Sequence, residues 1–347
     1  MMGERIKGAR QLAGLSLREL ALRVGVSHTA IQKYETGQDV PGSHILLRLV
    51  DALGVKVEYF FRPTSVTLSA PSFRSKASLR PSHQDSIVAQ AQDVIERQLE
   101  VESLFPDQEP PQWSLQPWPV NSMDDIEHAA VDLRHQWNLG LYPIENLVGV
   151  LEGRGIRIAL IPGHDAFDAM ALWANERDPV IALKQGVPGD RQRFNLAHEL
   201  GHLVLAVGPA LDEEKAANRF AGAFLVPAPM VRDELGPRRT TLNTQELKLL
   251  KHKYGLSMGA WVYRAQDLGI ISDKAALAHW KSFAQRGWRT NEPAPIPPER
   301  PTRTEQLVMR AVAEDIISYA RAAELLGVSV SYFWEDESNG HESASSR

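Results

Sequence analysis

The sequence contains no cysteine, which excludes a disulfide framework and every thiolate metal site, so any metal ion must be held by His, Asp or Glu. It also lacks any run approaching the ~18 apolar residues of a bilayer span. The opening stretch MMGERIKGARQLAGLSLREL interleaves charges with apolar residues and has no secretory h-region. The expectation is a cytoplasmic protein with no membrane partner. A strong charge of one sign is missing as well: 38 Lys and Arg stand against 43 Asp and Glu, a net charge of −5. The balance is uneven, however. Through Arg62 the basic residues Arg5, Lys7, Arg10, Arg18, Arg23, Lys33, Arg48, Lys56 and Arg62 outnumber Glu4, Glu19, Glu35, Asp39, Asp51 and Glu58. This excess favours nucleic-acid contact by the N-terminal part. At 347 residues the chain is long enough for two domains, each with its own core.

Apolar residues recur at helical spacing from Glu4 to Phe61, as in Leu17/Leu20/Ala21/Val24 and Ile45/Leu46/Leu49/Val50/Leu53. Ser16 and Ser27 stand where helices should start; Gly14, Gly25, Gly37 and Gly54 stand where they should stop. The pattern GLSLRELALRVGVSHTAIQKYETG has helix-turn-helix spacing. Ala21 permits close approach, Val26 and Ile31 plug the interface, and Ser27, His28, Thr29, Gln32 and Lys33 are left to meet bases or phosphates.

A Ser/Pro-rich basic stretch from Pro63 reads as a connector, with an extended piece through Val66–Leu68. An amphipathic helix over His83–Phe105 and a Pro/Gln/Trp-rich loop follow. Helices are predicted over Asp124–Trp137 and Ile144–Glu152, and strands over Ile156–Ile161 and Val180–Leu183 around a variable loop. Further helices are predicted for His198-Glu199-Leu200-Gly201-His202, for Asp212–Leu225, and for Gln245–Tyr254, Met258–Leu268 and Asp273–Ala284. The resulting fold class is α+β, mostly helical, with a small sheet. The predicted organisation is a helix-turn-helix DNA-binding domain at 1–62, a linker with an amphipathic helix at 63–120, a second domain carrying the HELGH helix at 121–292, a C-terminal helical packing element at 293–336 and a disordered tail at 337–347.

Histidines four apart lie one turn from each other on one helical face, so His198 and His202 can share a metal ion, expected to be Zn2+. Glu199 is then placed toward the attacking water, as general base. Gly201 allows another element to come close. A catalytic zinc needs a third protein ligand, and Glu214 on the next helix shares a face with Asn218, which is placed to hydrogen-bond His198 or His202 from behind. Two rivals exist: Asp212 is an N-cap candidate, and Glu213 points about 100° away. His164, His252, Tyr254 and Tyr263 are candidate oxyanion donors. The terminal stretch Ala313–Ser329 has half of a second helix-turn-helix pattern, but the acidic SYFWEDESNG after it would repel phosphate, so it reads as a packing element of the peptidase domain.

Over about sixty residues, the segment from Arg5 to Phe61 resembles the XRE/Cro-repressor family. That resemblance implies a five-helix fold, a recognition helix over Ser27–Glu35 and dimeric binding to a double-stranded DNA operator; Leu17 stands where members often have Gln. HELGH, followed by Glu214-x-x-Ala217-Asn218-x-Phe220-Ala221 and Phe224-Leu225-Val226-Pro227, resembles the ImmA/IrrE family of gluzincin-like metallopeptidases from about Pro143 to Val328. Asn195 replaces a frequent Thr there, and Ala216 a frequent acid. This second resemblance implies zinc held by two His and a Glu, and a protein substrate such as a repressor cut under stress. Two other readings stay open: a repressor whose peptidase-like domain only senses a ligand or nucleic acid, and an antitoxin-like autoregulator.

Overall fold

Capping residues delimit the helices of the N-terminal part. After α1 (Met2–Leu12), Ser16 Oγ accepts the Glu19 N–H and the Glu19 carboxylate accepts the Ser16 N–H, which fixes the start of α2 (Leu17–Val24). Gly25 ends that helix at φ 71°, a left-handed conformation open to glycine at little cost. Ser27 then caps α3 (His28–Glu35). α4 (Ser43–Leu53) follows, and a 3-10 turn over Val57–Phe61 takes the place of the fifth α-helix. The interior is built from Ile6, Leu20, Val24, Ile31, Leu49 and Phe60.

The computed structural model describes residues 2–61, 66–69 and 80–334. β1 (Leu68–Ser69) and α5 (Pro81–Ser103) precede β2 (Trp118–Val120), α6 (Met123–Gln136) and α7 (Leu147–Glu152). A four-stranded sheet then takes shape from β3 (Arg157–Ile161), β4 (Ala169–Ala174) and β5 (Asp178–Lys184), in the order β1-β4-β5-β3. β5 runs parallel to β3 and antiparallel to β4. The strands are apolar on both faces because both are covered. Ile158, Ala169, Ala171 and Ile181 enter the large core, whereas Ala159, Met170, Leu172 and Val180 meet Ile87, Ala91 and Ile95 of α5. α5, expected in a linker, is therefore the outer layer of this sheet: its apolar stripe has an apolar sheet face to bury, at roughly 25 cal/mol per Å² of apolar surface. β4 was expected to be a variable loop.

α8 (Gly189–Val204) covers the other face. β6 (Leu205–Val207) continues it and pairs in parallel with β2. α9 (Glu213–Leu225), α10 (Ala228–Leu235), α11 (Thr244–Tyr254), α12 (Met258–Asp267) and α13 (Asp273–Gln285) complete the large core. The Pro-rich segment after α13 is a strap across the start of α8. The Gly189 N–H donates to Ile296 O at 2.7 Å, the Gln192 side chain exchanges two hydrogen bonds with the Glu299 backbone, and Arg193 pairs with the Glu299 carboxylate. A side chain at position 189 would strike the Pro297 carbonyl.

α14 (Arg303–Ala313) and α15 (Tyr319–Leu326) pack on the end of α5, through Val101, Phe105, Leu307, Val308 and Leu325, rather than on the core around the HELGH helix. The N-terminal unit meets α5 too: Arg5 pairs with Glu96 at 2.5 Å and lies over the Tyr59 ring. The tail expected at 337–347, and residues 63–65 and 70–79 of the expected linker, lie outside the described residues. Among the described residues no helix is long and apolar enough to cross a membrane.

Candidate metal centre and nucleic-acid face

The i, i+4 spacing on α8 brings the His198 and His202 Nε2 atoms to 3.1 Å. The third carboxylate depends on how closely α9 approaches. At Gly201 an added Cβ would sit 3.2 Å from the Ala217 Cα, so the absence of a side chain there lets the two helices touch. α9 is registered by Asp212, whose carboxylate accepts the Lys215 N–H at 2.8 Å and so acts as the cap; Glu213 is turned to solvent. Glu214 is thereby placed with its carboxylate oxygens 3.5 Å from His198 Nε2 and 3.4 Å from His202 Nε2. Among the described residues this is the one group of three or more such side chains close enough to hold an ion, with its ligand atoms within 4.8 Å of one another.

The donor set fits zinc. Tetrahedral ligands at ~2.0–2.1 Å from the ion lie roughly 3.3–3.4 Å apart, and the three separations here are 3.1, 3.4 and 3.5 Å. The tautomer fits as well. His198 Nδ1 is 3.0 Å from Asn218 Oδ1, and because an amide oxygen only accepts, Nδ1 carries the proton and Nε2 keeps its lone pair for a metal. Burial holds the His198 pKa below the ordinary imidazole range, against the raising effect of Glu199, and this also favours the neutral form that ligates.

Glu199, next to His198 on α8, is not one of the clustered ligand residues. It is 5% exposed, and its Oε2 accepts the backbone N–H of Ala171 on β4 at 2.7 Å. Sequence reasoning missed this donor, although the six-residue apolar run Ala169–Ala174 was a readable signal for a buried strand. The four proposed oxyanion donors are engaged elsewhere or open to solvent. His164 stacks on His83, Tyr254 donates to Glu234 at 2.7 Å, Tyr263 lies tilted against Trp280, and His252 is exposed.

Ser27, His28, Thr29, Gln32 and Lys33 all present themselves to solvent along α3 and its cap, while Ile31 is fully buried beneath them. This helix therefore has a polar outer face that can enter a major groove.

Comparison with known proteins matches residues 6–60 to the helix-turn-helix family and residues 151–266 to the IrrE N-terminal-like domain of peptidase family M78. The second match is narrower than the span from Pro143 to Val328 expected above, and it contains the whole His-His-Glu cluster. The chain is also similar to an uncharacterized transcriptional regulator in the ATPase CF(0) region of Rhodospirillum rubrum, at 38% identity over 60 residues, which make up 17% of this chain and 56% of that protein. The chain thus spans little more than half the length of that curated relative.

Proposed function

For a chain that joins a helix-turn-helix transcription-regulator domain to a peptidase-family domain, we propose a DNA-binding regulator whose second domain is a zinc-dependent endopeptidase acting on a regulatory protein. The observation that carries this reading is the triangle of ligand atoms from His198, His202 and Glu214, whose sides of 3.1, 3.4 and 3.5 Å match the edge of a zinc tetrahedron. Zinc held there would polarise the scissile carbonyl and acidify a water molecule.

The chain's own residues supply the rest. Glu199 takes a proton from the attacking water and passes it to the departing amide nitrogen, while the Ala171 N–H keeps its carboxylate oriented. Asn218 holds the His198 ring in its ligating tautomer. The ligands remain reachable, since the His198, His202 and Glu214 side chains are 15%, 23% and 44% exposed. An enclosed structural site would seal them off. In the other domain, α3 would read an operator, with Gln32 and His28 at base edges and Lys33, Thr29 and Ser27 at phosphates.

Metal analysis tests the first half. One zinc ion per chain is expected at neutral pH, and Asn218→Ala should weaken zinc affinity by about 10–100-fold while leaving the fold intact. A chain that takes up no zinc would remove the peptidase reading altogether. For the DNA half, Lys33→Ala should weaken binding to all sequences alike and reduce the slope of log K against log salt by about 0.9, the amount due to one phosphate contact. An unchanged slope in a salt titration would show that Lys33 meets no phosphate.

A further inference from the structure

α8 leaves one stripe of its surface open. Between Gln192 and Val204 the half-buried positions are Phe194, Asn195, His198 and His202, and the others are buried, Glu199 among them. Asn195 precedes His198 by three positions, Glu199 by four and His202 by seven. At about 100° per residue these four side chains fall within roughly 100° of one another. Asn195 thus belongs to the face that carries the metal ligands, one turn nearer the start of the helix. Arg191, the next polar residue along the stripe, is paired with Asp168 at 2.6 Å.

Asn195 differs from its polar neighbours on this stripe in holding a donor without an acceptor. His198 and His202 face Glu214, and His198 also meets Asn218. The Asn195 Nδ2 is itself buried and has no hydrogen-bond partner among the described residues. An amide N–H2 group shielded from water and left without an acceptor is unfavourable, and a native chain tolerates one where a bound molecule supplies what is missing. The torsion that turns the amide is broad and nearly two-fold. The N–H2 end can therefore swing to the open side of the stripe when an acceptor arrives there. An uncharged amide suits a neutral main-chain carbonyl better than a charged side chain, which would call for a charged partner.

We propose that Asn195 binds the main chain of the substrate, its Nδ2 donating to a peptide carbonyl close to the scissile bond. The inference rests on the peptidase reading above. One helical turn rises about 5.4 Å, and successive residues of an extended peptide are about 3.4 Å apart. The acceptor is therefore a carbonyl one or two residues away from the one at the metal. Every peptide unit presents the same oxygen, so this contact fixes where the peptide lies along α8 and not which side chains it carries. The bond is made alike before and during the reaction, so its loss acts on KM and leaves kcat in place.

The test compares Asn195→Val with Asn195→Thr, two substitutions of one shape that differ in a hydroxyl donor. The substrate is the oxidised insulin B chain, an unfolded peptide, given to the zinc-loaded full-length chain. In Asn195→Val, KM should rise about five- to tenfold, the size of one neutral hydrogen bond, with kcat within about twofold of the parent. Asn195→Thr should bring KM back to within about threefold of the parent. Equal KM values for the two variants, or a loss confined to kcat, overturn the inference and leave the peptidase reading standing. If the parent chain does not cut the peptide, the peptidase reading falls and this inference with it. A second measurement needs no turnover. In the Glu199→Gln background, where the peptide is bound without being cut, Asn195→Val should raise the Kd of a fluorescein-labelled insulin B chain by the same factor, and an unchanged Kd overturns the contact.

Discussion

Glu199→Gln is expected to lower the rate of protein hydrolysis by between about 100-fold and 10,000-fold, the range typical of a lost general base, while the chain still binds one zinc. Glutamine keeps the size of the side chain and an oxygen able to accept the Ala171 N–H, so the local structure around β4 and α8 survives. It has lost only the capacity to take a proton at neutral pH. The metal content separates this role from its rival. Glu199 lies apart from the three clustered ligand atoms, so its amide variant should retain the ion, whereas His202→Ala should lose it. Zinc lost from Glu199→Gln would make Glu199 a ligand, and a retained rate would place the base elsewhere.

Glu127→Ala should cost about 3–5 kcal/mol of stability, the usual result of leaving buried charge without its partner. Glu127 on α6 is shared by two guanidinium groups, Arg219 of α9 at 2.5 Å and Arg264 of α12 at 2.5 Å, and the Arg264 side chain is only 2% exposed. Arg264 also donates to the Val226 carbonyl just after α9. Three helices are thus tied at one carboxylate, and Arg219 directly follows Asn218, so the tie fixes the helix that carries Glu214. Thermal unfolding followed by the emission of the buried Trp137 and Trp261 would report the loss. At roughly 2–4 °C per kcal/mol for a unit of this size, the midpoint should fall by about 6–20 °C. A shift under ~2 °C would mean that the ion pairs contribute little.

The same carboxylate gives a pH signature. Burial raises the pKa of Glu127, but Arg264 and Arg219 outweigh it and hold the group below the ordinary glutamate range. A carboxylate with a folded-state pKa below its unfolded value contributes stability that is complete above the unfolded pKa, about 4.3–4.5, and is lost as the pH falls through the folded one. The stability gap between the parent chain and Glu127→Gln should therefore be constant from pH 7 to about 5 and close below about pH 4. A gap that persists in acid would trace to packing instead.

Local chemistry made much of this molecule readable in advance. The i, i+4 histidines, the Ser16 and Ser27 caps, the Gly25 turn and the exposed side chains of α3 follow from short-range geometry, which residue type and spacing carry directly. So does the exclusion of thiolate ligands. The choice among Asp212, Glu213 and Glu214 was narrowed by helical phase, but the approach of α9 at Gly201 set the distance that makes the triangle. Three features were decided only by tertiary structure. The Ala171 N–H that orients Glu199 is a backbone donor, and every residue except proline carries one, so no side-chain pattern marks it. Glu127 serves two arginines more than ninety positions away, a pairing with no local trace. α5 looked like part of a connector because an amphipathic stripe states that a surface will be buried without stating against what. The HELGH helix could be read from five residues, but the strand that brings the Ala171 N–H to Glu199 is placed by its pairing with β5 and its packing under α8, which no run of neighbouring residues states.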